Sequence, residues 1–338
     1  MRIALDAMGS DTYPMPDVEG AILAAQEFND TLVIVGDQEQ IKREIAKHKI
    51  LNAKIEIVHA SQFISMHDKP GTVGKEKPDS SMHVGMNLVK DGQADAFVTA
   101  GNTGAALAIA TLFTLRRIAG IKRPALGSII RIPGNRSIIL LDIGANADCK
   151  PDWLLQFAIM GKIYAQNAGG IPNPRIALLA NGEEEEKGNQ LIHEAAHLLK
   201  ESNLNFTGNI EPKEVLRGTA DVIVSDGFVG NIAIKSFEAM GSALGNLIRD
   251  EIRRDPVSTI GGLLARAAFR RVYKQIDPFE IGGAPLLGVN GVVIIGHGRS
   301  NAKAIKNAIR QARMAVTGRV VQSIHEGIND VPVNDTGT

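Results

Sequence analysis

The sequence predicts an α/β fold with helices on both faces of a largely parallel sheet, and three observations predict it. Short apolar runs recur along almost the whole 338-residue chain. Segments of helical period separate most of them, and small and polar residues gather where each run ends. With 44% hydrophobic residues, the chain can bury a substantial core as one large or two interlocked domains.

The strands are read in order. RIALDA (2–7), TLVIVGD (31–37), KIEIVHA (54–60) and ADAFVTA (94–100) supply the first four. SIILLDIGA (137–145), RIALLANG (175–182), DVIVSDG (221–227) and VVIIGHG (292–298) supply the rest. Between them, MHVGMNLVKDG and WLLQFAIMGKIYAQNAG repeat their apolar residues at the period of a helix. No internal repeat or low-complexity tract interrupts the pattern, and residues 330–338 read as a disordered tail.

Composition removes several function classes. Lys+Arg and Asp+Glu are both 37, so no global field draws the chain to nucleic acid, and a charged partner must meet a local patch. The single cysteine, Cys149, excludes an intramolecular disulfide and a thiolate zinc cluster. The opening MRIALDAMGSD enters a strand pattern without a signal peptide's long apolar region, and no run approaches the roughly 20 apolar residues of a membrane span. A cytoplasmic protein is the expectation.

In sheets of this kind ligands bind outside the carboxyl ends of the strands. The exit VTAGNTGAALA is the most suggestive. A Gly–Asn–Thr–Gly turn leads straight into a helical run, so backbone N–H groups and the positive helix end suit an anion. Gly101 and Gly104 allow close approach to the backbone, and Asn102 and Thr103 add hydrogen-bond partners. Five further exits share this chemistry: 6–11, 142–151, 181–189, 226–231 and 296–301. At least three of the six are expected to line one cleft, which also makes Asp6, Asp226 and His297 candidates. EEEE (183–186) reads as the solvated first turn of a helix, with Lys187 directly behind it.

Other motifs are weaker. HEAAH (193–197) fits the H-E-x-x-H zinc pattern, but GNQLIHEAAHLLKE also reads as a plain amphipathic helix, with His193 and His197 near its solvent edge; no metal is expected. Cys149 lacks a sequence-local base and reads as a small buried hydrophobe. No Walker loop occurs, and no G-x-G-x-x-G follows the first strand. In residues 250–275, Val257, Ile260, Leu263 and Leu264 surround Gly261–Gly262, flanked by Arg253, Arg254, Arg266, Arg270 and Arg271. An apolar tip with basic flanks suits an anionic bilayer surface, and a helical hairpin in an oligomer interface suits it equally.

Taken together, DAMGSD, DSSM (79–82), TAGNTGA, RPAL (123–126), LLDIGANADCKP, EEKGN, FTGN, DGFVGN and GHGRS occur in a distinctive order. In this the sequence resembles the phosphate acyltransferases of bacterial phospholipid synthesis, the PlsX family, over about residues 1–325. The resemblance implies a three-layer α/β/α sandwich with a mixed sheet, like that of isocitrate and isopropylmalate dehydrogenases. It implies one domain over residues 1–329, built of two intertwined subdomains, with a helical dimerisation and membrane-tip segment at about 229–275. It further implies a homodimer that transfers a fatty acyl group from acyl carrier protein (acyl-ACP) to inorganic phosphate. The acyl phosphate would pass to a membrane glycerol-3-phosphate acyltransferase, with peripheral membrane contact around Val257, Ile260, Leu263 and Leu264.

Lys187 and Asn231 match the family's proposed catalytic pair. Lys187 would steer phosphate and offset charge, and Asn231 would donate a hydrogen bond to phosphate or to the carbonyl oxygen. The chemistry requires little acid–base power and no cofactor: phosphate is already substantially dianionic near neutral pH, and a thiol of pKa about 8.5 leaves readily as thiolate. The competing readings are a phosphate acetyltransferase-like enzyme using acyl-CoA and a non-catalytic membrane-associated scaffold.

Overall fold

The computed structural model describes residues 1–49, 53–132, 134 and 136–328; the tail read at 330–338 lies outside them. The chain opens with β1 (Arg2–Asp6), α1 (Met15–Phe28), β2 (Thr31–Gly36), α2 (Gln38–Ile45) and β3 (Lys54–His59). It continues through α3 (Pro70–Glu76), α4 (Ser81–Lys90), β4 (Ala96–Thr99) and α5 (Thr103–Ala108), which runs on into a π-helical turn at Ile109–Phe113. Next come β5 (Ala125–Ile132), β6 (Arg136–Leu141), α6 (Pro151–Asn167), β7 (Ile176–Leu179), α7 (Gln190–Glu201), β8 (Phe206–Ile210), α8 (Pro212–Arg217) and β9 (Val222–Val224). Two long helices follow, α9 (Gly227–Ile252) and α10 (Pro256–Ile276). The chain then forms a 3-10 turn at Pro278–Glu280, β10 (Ala284–Leu287), β11 (Val292–Ile295), α11 (Ala302–Thr317) and α12 (Val320–Gly327).

All eight strands read from the sequence are present. Three more complete a single 11-stranded sheet of order β3-β2-β1-β4-β11-β10-β5-β6-β9-β7-β8. The additional strands carry weak signals: β10 is four residues long and contains Pro285, β8 holds Gly208 at φ +96°, and β5 follows Arg123–Pro124 with Gly127 and Ser128 inside it. The sheet is mixed. β3, β2, β1, β4 and β11 are mutually parallel, as are β6, β9, β7 and β8. Three successive antiparallel pairings, β11 with β10, β10 with β5 and β5 with β6, separate the two runs and reverse their direction. The late strands β10 and β11 thus return between the amino-terminal strands and the middle ones.

One sheet face carries a continuous core in which α1, α6, α7, α11 and α12 pack on Ile3, Leu5, Val98, Leu141 and Val222. The other face holds two separate clusters. Near β4 it packs Phe97, Val293 and Ile295 under α4 and α5; near β6 it packs Leu140, Ile223 and Leu179 with Val215 of α8 and Phe237 of α9. The gap between these clusters, over β5 and β10, is where a cleft can form.

Two local readings need correction. EEEE is not a helix's first turn: residues 183–187 form a turn, Gly188 takes φ +106°, and α7 starts only after Asn189, whose side chain caps Ile192 N. The tip of the α9–α10 hairpin is Arg253–Asp255, with Asp255 capping Ser258 N, and not the Gly–Gly pair. Gly262 instead lets α10 approach α9, since a Cβ there would sit 2.3 Å from Ile252 Cγ2. Val257, Ile260, Leu263 and Leu264 line the first turns of α10, and Val257 and Leu264 are 80% and 82% exposed. No helix among the described residues is long and apolar enough to cross a membrane.

Asp17 in α1 gives the fold a pH signature. Burial pushes its carboxyl up from 3.8 to about 8, against a hydrogen bond from Ser10 Oγ at 2.5 Å and with nearby Asp6 reinforcing the rise. The unfolded chain therefore loses this proton near pH 4, and the folded chain only near pH 8. The stability contributed by the retained proton is full below pH 4 and falls as pH rises toward 8, by at most about 1.4 kcal/mol per pH unit. Denaturant melts at pH 5 and 8 should show Asp17→Asn narrowing the stability difference between them. An unchanged difference would place the pH dependence elsewhere.

Candidate active site

Asp142, at the exit of β6, organises the centre of the site. Its Oδ1 accepts from the backbone N–H of Leu126, Gly144 and Ala145 at 3.0–3.1 Å. Its Oδ2 accepts from Asn146 N and Asn146 Nδ2 at 2.7 and 2.9 Å. The turn 142–146 is thus wrapped around one buried carboxylate and tied to the start of β5. Burial raises that carboxyl above its usual range, with these donors opposing.

The start of α9 sits directly on this turn. A Cβ on Gly230 would lie 1.9 Å from Asp142 O and one on Gly227 2.6 Å from Asn146 O, so only glycine permits the approach. Asp226 caps the helix, accepting from Phe228 N and Val229 N at 2.9 and 2.8 Å. Asn231 is thereby delivered to Ile143 O, to which its Nδ2 donates at 2.8 Å. An amide nitrogen has two hydrogens, so one donor remains.

The exit of β4 is built in the same way. Asp6, buried at the end of β1, accepts from Met8 N and Thr99 Oγ1 at 3.0 and 2.8 Å, and Thr99 Oγ1 accepts in turn from Gly101 N at 3.0 Å. Burial raises the Asp6 carboxyl, with hydrogen bonds from Ser81, Met8 and Thr99 opposing. Asn102 caps α5 through Ala105 N, and its Nδ2 donates to Asp68 O at 3.1 Å. These groups are occupied in shaping the loop, and Thr103 and Gly104 present its outer surface.

Four of the six strand exits meet at one cavity of about 930 Å³. Thr103 and Gly104 come from the first, Gly144 and Ala145 from the second, Asn231 from the third, and Gly296, His297 and Arg299 from the fourth. The cavity continues as a mainly apolar arm between β5, α9 and α10, past Ile129, Ile234, Phe237, Leu244 and Tyr273. His297 Nε2 lies 3.5 Å from Glu238 Oε1, with 44% of its side-chain surface open. Enclosure holds its imidazole below the usual value, with Glu238 raising it and Arg299 and Lys235 lowering it.

The structure therefore brings Thr103, Gly104, Asn231 and His297 into the cavity wall. It places Asp6, Gly101 and Asn102 behind the β4 loop and uses Asp226 as a cap. Lys187 stands apart, exposed on the turn after β7 and outside the cavity lining, with its carbonyl accepting from Asn209 Nδ2 at 3.3 Å. The sequence reading missed Asp142, although an acidic residue closing an apolar run before small residues was the signal that found Asp6. It also missed Lys235, Glu238, Arg299 and the apolar arm.

Neither tempting motif shapes this site. His193 and His197 are exposed on α7, with His197 Nδ1 3.5 Å from Glu201. Among the described residues no three His, Cys, Asp or Glu side chains group to hold a metal. Burial, with Asp142 next, pushes the Cys149 thiol up to about 12, and its Sγ donates to Asn146 O at 3.5 Å. A thiol so suppressed is the reverse of a nucleophile.

The family described as "Fatty acid synthesis protein" matches residues 1–323. The phosphate acyltransferase of Dictyoglomus turgidum is 50% identical over 98% of this chain and 98% of its own length. That of Trichlorobacter lovleyi is 46% identical over 98% of this chain and 95% of its own. Among solved structures, a phosphotransacetylase from Streptococcus pyogenes aligns with TM-score 0.59 at 17% identity, covering 95% of this chain and 94% of that one, a likeness of fold. The chain belongs to the fatty acid synthesis protein family and is an acyltransferase of the phosphate acyltransferase kind.

Proposed function

We propose that the chain transfers a fatty acyl group from acyl-ACP to inorganic phosphate, giving acyl phosphate and free carrier for phosphatidic acid synthesis. One observation carries the reading: a single cavity joins a polar end built from four strand exits to an apolar arm along α9. The polar end suits phosphate and the arm suits an acyl chain. From Asn231 to Arg249, both lining the cavity, α9 extends about 27 Å. A fatty acyl chain fills about half of a bilayer's roughly 30 Å hydrocarbon core, so the arm is long enough for one. A two-carbon acyl group would leave most of it unused, which favours a fatty acyl donor over an acetyl donor.

In the reaction a phosphate oxygen attacks the thioester carbonyl carbon, the C–S bond breaks, and the carrier departs as thiolate. Asn231 donates its second amide hydrogen to the carbonyl oxygen as charge develops there. Thr103 and the backbone of Gly104 help position the phosphate. A charge-offsetting role for Lys187 rests on the family resemblance alone. Two copies pair along the α9–α10 hairpin, whose apolar residues Met240, Leu247 and Phe269 are exposed. Val257, Ile260, Leu263 and Leu264, beside Arg253, Arg254 and Arg266, rest on anionic lipid and bring acyl phosphate to a membrane glycerol-3-phosphate acyltransferase.

The test incubates the protein with palmitoyl-ACP, with and without phosphate, trapping acyl phosphate with hydroxylamine while following carrier thiol. Thiol release that needs phosphate and matches the trapped product is expected. Release without phosphate would make the chain a hydrolase, and faster turnover of acetyl-CoA would make it an acetyltransferase. No release from the folded protein would leave the scaffold reading.

A further inference from the structure

We infer that Lys235 is the cation that binds the phosphate substrate in the cavity, an inference that rests on phosphate occupying its polar end. Four Lys and Arg side chains line the cavity: Arg131, Lys235, Arg249 and Arg299. Three of them are engaged or distant. Arg131 Nη2 lies 3.4 Å from Glu280 O, and the Arg299 guanidinium sits over the Phe279 ring, 5.9 Å from its centre. Arg249 lies about 27 Å along α9 from Asn231 and points its Nη1 at Asn246.

Lys235 is placed differently. It follows Asn231 by one turn of α9, so their Cβ atoms lie about 5–6 Å apart on one face, and both line the cavity. No ion pair holds its ammonium among the described residues. The carboxylate on its helix face, Glu238, is turned to His297 at 3.5 Å. Lys235 shares the cavity lining with His297, whose imidazole is kept from charging by burial first and then by Arg299 and Lys235. An ammonium there acts as a point charge for phosphate, next to the amide that serves the carbonyl. Lys187, outside the cavity wall, has no such position.

The experiment compares wild type, Lys235→Ala and Lys235→Arg in two measurements. The first is the rise in melting temperature on adding inorganic phosphate without an acyl donor; the second is KM for phosphate and for palmitoyl-ACP. Lys235→Ala should lose the phosphate-induced rise and raise KM for phosphate about 10-fold or more. Its KM for palmitoyl-ACP should stay within about twofold, and Lys235→Arg should restore most of the phosphate affinity. An unchanged phosphate KM in Lys235→Ala would overturn the inference, as would a rise confined to palmitoyl-ACP, which would mark a carrier contact. Equal loss in both variants with a lower melting temperature before phosphate is added would make Lys235 a packing residue. A wild type that neither responds to phosphate nor requires it would overturn the proposed function itself.

Discussion

Asn231→Ala is expected to lower the turnover of acyl transfer about 10²–10³-fold, the usual effect of deleting one preorganised donor to a developing oxyanion. The expectation follows from the way the residue is held. Its amide gives one hydrogen to Ile143 O at 2.8 Å, which fixes the side chain, and has a second hydrogen left to donate. The close seating of Gly230 on Asp142 O means that the backbone beneath Asn231 has little freedom to relax. The loss should therefore fall on kcat, with KM for phosphate changing less, and circular dichroism should match wild type. A variant that keeps more than about a tenth of wild-type turnover would remove Asn231 from the oxyanion role.

The second large effect concerns acyl-chain length. Gly241 and Gly245 both line the arm at one-turn spacing, and a Cβ at either would meet nothing within 4 Å. A side chain there would project into open space. Gly245→Leu should block the far part of the arm, lowering kcat/KM for palmitoyl-ACP about 10-fold or more while sparing an eight-carbon donor. A competition assay with mixed acyl-ACPs reads this ratio directly. An unchanged preference would show that the chain lies elsewhere. Gly241→Leu, nearer to Asn231, should exclude shorter chains than Gly245→Leu does, which separates a graded channel from a general loss of packing.

Much of the sheet was legible because its inner strands are buried on both faces and so read as unbroken apolar runs, from Leu32–Val35 to Val292–Ile295. β10 and β8 escaped because Pro285 and Gly208 interrupt runs that the tertiary context nevertheless pairs. The small polar exits pointed to one cleft, and four of them meet there. Their individual roles were less legible, because a carboxylate at a strand end has several uses. Asp226 caps a helix, Asp6 braces the β4 loop, and Asp142 gathers five donors. The apolar arm could not be read from sequence, since Ile129, Phe237 and Tyr273 come to line one cavity only when α9 and α10 both pack against β5. The same packing gives Lys235 its place, whereas in sequence it is one more lysine on a long helix.

In the proposed function, acyl chain and phosphate meet in one cavity beneath α9. The most direct measurement uses a non-hydrolysable acyl phosphonate carrying a photoreactive diazirine at its chain end, with labelled peptides identified by mass spectrometry. Labelling should fall on the arm, at Phe237, Leu244 or Tyr273, and be suppressed by excess unlabelled acyl phosphonate. Labelling confined to Val257–Leu264, or unaffected by the competitor, would show an acyl chain held on the outer surface of α10 and contradict the claim.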